Sequence, residues 1–356
     1  MNNLVKMRKE GIGSYFHFEN DQELLKDSTI DLNFNYKICY TGRHALLHIL
    51  NEVTSSKQVS KIWFPNYYCQ HTLHWIKKFH PVIHTYDVNP FEFPAEINIS
   101  NFADSNDVVL INNYWGLSTM PKKSTATGAP LVIEDHSHGW LSKACLNSEA
   151  DYCFVSLRKS LPIPLGGMYW QPNSSTNDII HSKKNNNDLY EAWDLMVQAM
   201  KLKSKYVDGD ETIETSTYLP LFYDVEEALN INSDFAELLD DHEDFIRSFI
   251  NLDTKQLKNN NLDVLYSEIQ DTPYFKVVKR PDHTAFGLLL LFKDEKEFNS
   301  LKSFLVSNGV YPSSLWPDNK IDYEWRYFLN LHIDFRYTTE DMEYIIETIN
   351  KWLNNI

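Results

Sequence analysis

Short apolar runs alternate with helical patterns through the first half of the chain. The apolar runs predict buried strands over residues 61–64, 82–88, 108–111, 131–133, 152–155 and 166–170. Apolar residues at helical spacing predict helices over 45–53 and 70–79. Short strands that are apolar throughout and separated by helices are typical of a parallel or mixed sheet covered on both faces. We therefore expect an α/β domain.

The pattern of apolar and polar residues changes in the second half of the chain. Residues 171–187 are polar and rich in Asn and Ser, which predicts a surface loop. The later pattern predicts helices over 189–207, 235–252, 294–307 and 339–353, and strands over 275–278 and 285–292. A chain of 356 residues is long enough for two domains of roughly 150 residues each. We expect a large domain over 1–250, with an N-terminal extension, and a small α+β domain over 251–356.

Composition excludes several classes of protein. The 33 Lys and Arg residues stand against 49 Asp and Glu residues, a net charge of −16. This balance argues against nucleic-acid binding, which requires clustered Lys and Arg. The four cysteines are too scattered for a disulfide framework or a zinc motif. No apolar run reaches the roughly 18 residues of a membrane span, and the N-terminus shows no secretion signal. We expect a cytoplasmic protein with reduced thiols.

Polar and aromatic residues follow the predicted strands, where open α/β sheets bind their ligands. The strand ends carry Asn66-Tyr67-Tyr68-Cys69, Asn113-Tyr114-Trp115, Asp135-His136-Ser137-His138 and Ser156-Leu157-Arg158-Lys159. A lysine suits a Schiff base, and an aspartate pairs with a protonated ring nitrogen. A serine hydroxyl and a helix start, here at Gly42 and Arg43, suit a phosphate. Together these groups indicate a pocket for pyridoxal phosphate.

Four motifs carry a resemblance to a known family. They are Thr41-Gly42-Arg43-His44-Ala45-Leu46, Phe64-Pro65-Asn66-Tyr67-Tyr68-Cys69, Ile133-Glu134-Asp135-His136-Ser137-His138, and Ser156-Leu157-Arg158-Lys159 ahead of Gly166-Gly167. In this order they resemble the DegT/DnrJ/EryC1/StrS aminotransferases over about residues 38–170. Residues 331–342 resemble the ending of the same family. The resemblance implies fold type I of the pyridoxal phosphate enzymes: a large domain with a mainly parallel, seven-stranded type of sheet and a small C-terminal α+β domain.

The resemblance also implies residue roles. Lys159 matches the Schiff-base lysine, which also moves the proton in the reaction, and Asp135 matches the acid that keeps the pyridine nitrogen protonated. His138 matches the residue near the cofactor's phenol oxygen. The phosphate contacts correspond to Ser156, Gly42 and Arg43. Cys69 stands where the family has a ring-stacking aromatic residue, so Tyr68 or Trp115 is left to cover the ring.

The activity implied is transfer of an amino group from glutamate to a keto group, in a homodimer. The substrate implied is a nucleotide-linked keto-sugar for cell-surface polysaccharide or related biosynthesis. Three alternatives stay open: a pyridoxal phosphate enzyme of another type, such as a dehydratase; a non-catalytic member of the fold; and a glycosyltransferase without the cofactor.

Several residues have a second interpretation. Asp135, His136 and His138 resemble a metal-ligand set, but no distant His completes it, so we expect no metal. Ser156 and Lys159 match a Ser-x-x-Lys nucleophile, which the prolines at 162 and 164 disfavour because that motif opens a helix. Three arginines are candidates to clamp the donor carboxylate: Arg43, Arg158 and Arg336.

Overall fold

The computed structural model describes residues 10–19, 28–93, 97–122, 128–172, 187–231, 236–316, 318–319 and 321–356. The chain forms two compact units, one running from Phe16 to Leu252 and one that joins the N-terminal residues to Asp253–Ile356. The N-terminus thus differs from the sequence-based division, which placed it in the large domain. The physical reason is a parallel bridge between Ile12 and Val310, closed by a 2.9 Å hydrogen bond from Ile12 N to Gly309 O.

The larger unit is built on a seven-stranded sheet. Its strands are β1 (Tyr36–Cys39), β2 (Ile62–Pro65), β3 (Ile83–Tyr86), β4 (Val108–Asn112), β5 (Leu131–Asp135), β6 (Tyr152–Ser156) and β7 (Gly167–Trp170). They lie in the order β1-β7-β6-β5-β4-β2-β3. Strand β7 is antiparallel to both of its neighbours, and the other pairings are parallel. The carboxyl ends of β2, β4, β5 and β6 therefore meet at one edge of the sheet.

Helices cover both faces of this sheet. They are α1 (Gly42–Ser56), α2 (Gln70–Lys77), α3 (Lys143–Leu146), α4 (Asn187–Val207), α5 (Thr215–Ile231) and α6 (Asp240–Ile250). Successive strand residues point to opposite faces. Val108 and Leu110 of β4 accordingly pack with α1 and α2, whereas Val109 and Ile111 pack with α4, α5 and α6. Burial on both faces explains why β4 is apolar without alternation.

The smaller unit contains an antiparallel sheet in the order β10-β9-β8. Its elements are α7 (Lys255–Glu268), β8 (Phe275–Val278), β9 (Gly287–Phe292), α8 (Glu295–Ser307), β10 (Tyr327–His332) and α9 (Thr339–Leu353). A capping box between Thr338 and Asp341 starts α9. Arg336 forms a buried ion pair with Asp334, its Nη2 lying 2.7 Å from Oδ2. Within the described ranges, no helix is long and apolar enough to span a membrane.

Among the described helices and strands, five were not predicted, namely β1, β10, α3, α5 and α7. The helix predicted over 235–252 begins at Asp240 in the structure. Most of the loop predicted over 171–187 lies outside the described residues, and its last residue, Asn187, starts α4. The α/β class of the larger unit and the mixed α and β content of the smaller unit are as predicted.

Candidate active site

Asp135 stands at the centre of a buried hydrogen-bond network at the carboxyl edge of the sheet. It is 5% exposed, and its Oδ2 accepts a 2.6 Å hydrogen bond from the Tyr68 hydroxyl. Its Oδ1 accepts one of 2.9 Å from the Ser137 amide. The Ser137 hydroxyl in turn accepts a 3.0 Å bond from the Ser156 amide. The network thus ties together the ends of β2, β5 and β6.

Tyr68 acts in this network as a donor. Burial, and secondarily the charge of Asp135, raise the pKa of the Tyr68 hydroxyl well above its ordinary value, so the group stays protonated. Its ring is packed against Phe64 with the planes at 62°. From the sequence, Tyr68 is expected to contact a cofactor ring, and its hydrogen bond to Asp135 is not predictable because the two residues are 67 positions apart.

Lys159 ends a 3-10 turn over Leu157–Lys159 directly after β6. Its Nζ lies 3.4 Å from His138 Nε2. Burial lowers the pKa of Lys159, while electrostatic interactions with Cys69 and Asp135 partly oppose that shift. A lysine whose pKa is lowered has a larger neutral fraction, and the neutral amine is the nucleophile that forms a Schiff base.

A stack of three rings holds His138. The Trp115 ring is stacked on His138, with 5.3 Å between centroids and 12° between planes, and on Phe91, with 5.8 Å and 8°. Trp115 is fully buried, and its Nε1 donates to Pro90 O at 2.7 Å. Its backbone has a φ of 57°, which is unfavourable for a bulky residue. Trp115, expected as a candidate ring cover, here stacks on His138.

The start of α1 lies against the ends of β6 and β7. The Thr41 hydroxyl accepts the His44 amide, which leaves the amides of Gly42 and Arg43 without an intrahelical partner. A Cβ on Gly42 would lie 2.9 Å from Ser156 Cβ, so the helix start and this serine are in direct contact. A helix start beside a hydroxyl is a suitable cradle for an anion such as phosphate.

The three candidate clamp arginines all have protein partners. Arg43 donates to Leu229 O at 2.7 Å and to Asn230 Oδ1 at 3.1 Å, at the end of α5. Arg158 forms a bidentate pair with Glu226 of α5. Arg336 is paired with Asp334 in the smaller unit. Glu226 was missed because it lies in the part of the chain where no motif was found.

The metal-ligand set considered from the sequence is not assembled. His136 Nε2 lies 3.1 Å from Glu134 Oε2, whereas His138 lies beside Lys159. Glu134, His136 and Cys153 form a separate buried cluster whose ligand atoms lie within 4.8 Å of one another. The Ser148 hydroxyl donates to Glu134 Oε2 at 2.6 Å, and the Cys153 thiol donates to Ser148 at 3.1 Å. These hydrogen bonds pair Glu134 Oε2, whereas Glu134 Oε1 is buried and has no hydrogen-bond partner among the residues that the structure describes.

Comparison with known proteins extends the description of the fold. No protein-family model and no curated protein sequence matches the chain. Among solved structures, the sugar aminotransferase CalS13 from Micromonospora echinospora is 13% identical with a TM-score of 0.55, over 99% of this chain and 97% of that one. The candidate sugar aminotransferase Spr1654 from Streptococcus pneumoniae, in its PMP form, is 12% identical with a TM-score of 0.55, over 96% and 94%.

A third similar structure is the Escherichia coli GDP-4-keto-6-deoxy-D-mannose-3-dehydratase with bound hydrated PLP. It is 11% identical with a TM-score of 0.54, over 92% of this chain and 89% of that one. The backbones of these three structures align with the present chain over nearly their whole length. The chain therefore has fold type I of the pyridoxal phosphate enzymes, as the sequence resemblance implied.

Proposed function

We propose that the chain is a pyridoxal phosphate enzyme that bonds its cofactor to Lys159 and transfers an amino group to a sugar. The observation that carries the proposal is the position of the Lys159 amine. It lies 3.4 Å from His138 at the carboxyl edge of the sheet, its pKa is lowered by burial, and it interacts electrostatically with Asp135.

The residues present fit this cofactor. The cradle of Gly42, Arg43 and Ser156 offers amides and a hydroxyl to a phosphate. Asp135 offers a buried carboxylate to a cationic ring nitrogen, and Lys159 offers the amine for an aldehyde. When bound, the cofactor supplies an electron sink for negative charge at the substrate carbon.

The remaining groups bind and orient. His138 Nε2 contacts the Lys159 amine, which suits it to the phenol oxygen that lies next to that amine in the cofactor. Lys159 would also carry a proton to or from the substrate carbon, the role that the resemblance implies for it. The stack of Phe91 and Trp115 keeps the His138 ring from turning away.

Amino transfer is favoured over dehydration because Lys159 is present. In the dehydratases of the family that the sequence resembles, that lysine is usually replaced. CalS13, of the same fold, is a sugar aminotransferase. We propose glutamate as donor and a nucleotide-linked keto-sugar as acceptor, in a cytoplasmic homodimer that serves polysaccharide or related biosynthesis.

Absorbance spectroscopy and borohydride reduction test the cofactor site. The purified protein, incubated with pyridoxal phosphate, is expected to absorb violet light, and borohydride is expected to fix the cofactor on the peptide that contains Lys159. Lys159→Ala should remain colourless, whereas Lys143→Ala, at an exposed lysine of the same unit, should behave as wild type. A colourless wild type, or a label on another lysine, would overturn the proposal.

The amino-transfer step has its own test. Glutamate added to the loaded protein is expected to bleach the violet absorbance, and a keto-sugar nucleotide is expected to restore it. A protein that binds the cofactor but changes with neither compound would instead support the non-catalytic alternative.

A further inference from the structure

The carboxylate of Asp135 is held by two donors, one on each oxygen. The Tyr68 hydroxyl contacts Oδ2 at 2.6 Å, a distance typical of a charge-assisted O–H···O⁻ bond, and the Ser137 amide contacts Oδ1 at 2.9 Å. Two donors on opposite oxygens fix the plane of the carboxylate. Each oxygen retains a second lone pair for another donor.

The Tyr68 side chain is held in the position from which it donates to Asp135. The side chain is 2% exposed, and its ring is held edge-on by Phe64 at 5.5 Å between centroids. A phenol that stays protonated donates to a carboxylate and cannot take a proton from it. A hydrogen bond from Tyr68 is stronger to a charged carboxylate than to a neutral carboxyl group.

We propose that Tyr68 is a positioning residue that acts through Asp135 to keep a proton on the ring nitrogen of the cofactor. This inference rests on the proposed function. A ring nitrogen and a buried carboxylate share one proton, which resides either on nitrogen, giving an ion pair, or on oxygen, giving a neutral pair. Burial favours the neutral pair. The Tyr68 hydroxyl opposes that preference, because a hydrogen bond to a charged acceptor is stronger than one to a neutral acceptor.

The location of the proton is measurable by nitrogen-15 NMR. Cofactor labelled at the ring nitrogen is bound to wild type, Tyr68→Phe and Asp135→Asn at neutral pH. Asp135→Asn gives the chemical shift of a ring nitrogen that has no ionised partner. Tyr86→Phe is the matched control, because Tyr86 is also buried and its hydroxyl donates at 2.9 Å to a backbone carbonyl, that of Leu110.

Wild type and Tyr86→Phe are expected to show a protonated ring nitrogen. Tyr68→Phe is expected to move its signal toward that of Asp135→Asn, corresponding to a shift of the proton equilibrium by roughly tenfold or more, as expected for one hydrogen bond to a charged group. A general loosening of the fold would move the Tyr86→Phe signal as well.

A second variant keeps the ring and a weaker donor. Para-aminophenylalanine in place of Tyr68 is expected to give a signal between those of wild type and Tyr68→Phe. A wild-type signal in both Tyr68 variants, with cofactor bound, overturns the inference and leaves the proposed function intact. A wild type that takes up no cofactor would refute the proposed function itself, and this inference with it.

Discussion

A methyl group added at Gly167 is expected to displace the start of α1 from the sheet. Gly167 begins β7, and a Cβ built there lies 2.2 Å from the Thr41 carbonyl carbon, 2.3 Å from its oxygen and 2.5 Å from Gly42 N. All three are backbone atoms. Ordinary contact begins at 3.4 Å, so Gly167→Ala requires the two backbones to separate by about 1.2 Å.

Neither strand β7 nor the start of α1 can move easily to relieve this contact. Strand β7 is hydrogen-bonded to β1 on one side and to β6 on the other, and most of α1 is buried. We therefore expect Gly167→Ala to cost about 3 kcal/mol of unfolding free energy, the upper part of the usual range for overpacking. Because the displaced segment carries the proposed phosphate cradle, the affinity for pyridoxal phosphate should also fall, by roughly tenfold or more.

The neighbouring glycine provides a matched control. A Cβ on Gly166 meets Ile163 Cδ1 at 2.5 Å, the end of a flexible side chain that turns away at small cost. Gly166→Ala should therefore cost only about 1 kcal/mol and retain cofactor affinity. Urea unfolding followed by tryptophan fluorescence, together with cofactor titration, measures both effects. Equal losses in the two variants would refute this account of the close approach.

Two further predictions concern buried groups away from the cradle. Trp115→Ala should lower the unfolding free energy by about 3 to 5 kcal/mol and weaken cofactor retention, because His138 loses its stacking partner. Trp115→Phe should lose less stability and less cofactor. Equal losses in the two variants, measured by urea unfolding and by absorbance, would contradict this prediction. Arg336→Gln should cost about 3 to 5 kcal/mol at neutral pH, because it leaves the buried Asp334 carboxylate without its guanidinium partner, with cofactor affinity unchanged. Burial raises the pKa of Asp334, but the charge and hydrogen bonds of Arg336 outweigh it and hold the pKa below its ordinary value. The stabilisation is therefore present above that ordinary value and lost as pH falls through the lowered one. The difference between Arg336→Gln and wild type should shrink in acid; a constant difference would argue against the ion pair.

The sequence patterns predicted those elements whose signals lie within the segment itself. Helix α9 was predicted with its observed bounds, because its cap and its apolar spacing both lie within the segment itself. Strands β4, β5 and β6 were recognisable because burial on both faces leaves a continuous apolar run. Their polar ends indicated the edge at which Asp135, Ser156 and Lys159 lie, and the resemblance supplied the fold.

Other elements depend on the rest of the molecule. Strand β1 is four residues long, contains Lys37, and is only partly buried at the edge of the sheet, so nothing local separates it from a loop. Helix α5 contains Pro220, a residue that argues against a helix when the sequence is considered alone. Packing of Tyr218, Phe222 and Val225 into the core nevertheless stabilises this helix. In such segments tertiary contacts outweigh the local preference.

The sequence by itself determined which residue types stand at the strand ends, because strand length and polarity are local properties. Only the tertiary structure decided the partners of those residues. Tyr68 donates a hydrogen bond to Asp135, and Arg43 donates one to the end of α5. Trp115 stacks on His138. Each of these contacts joins segments that are separate along the chain, and their meeting depends on the order of the strands in the sheet, which no local pattern encodes.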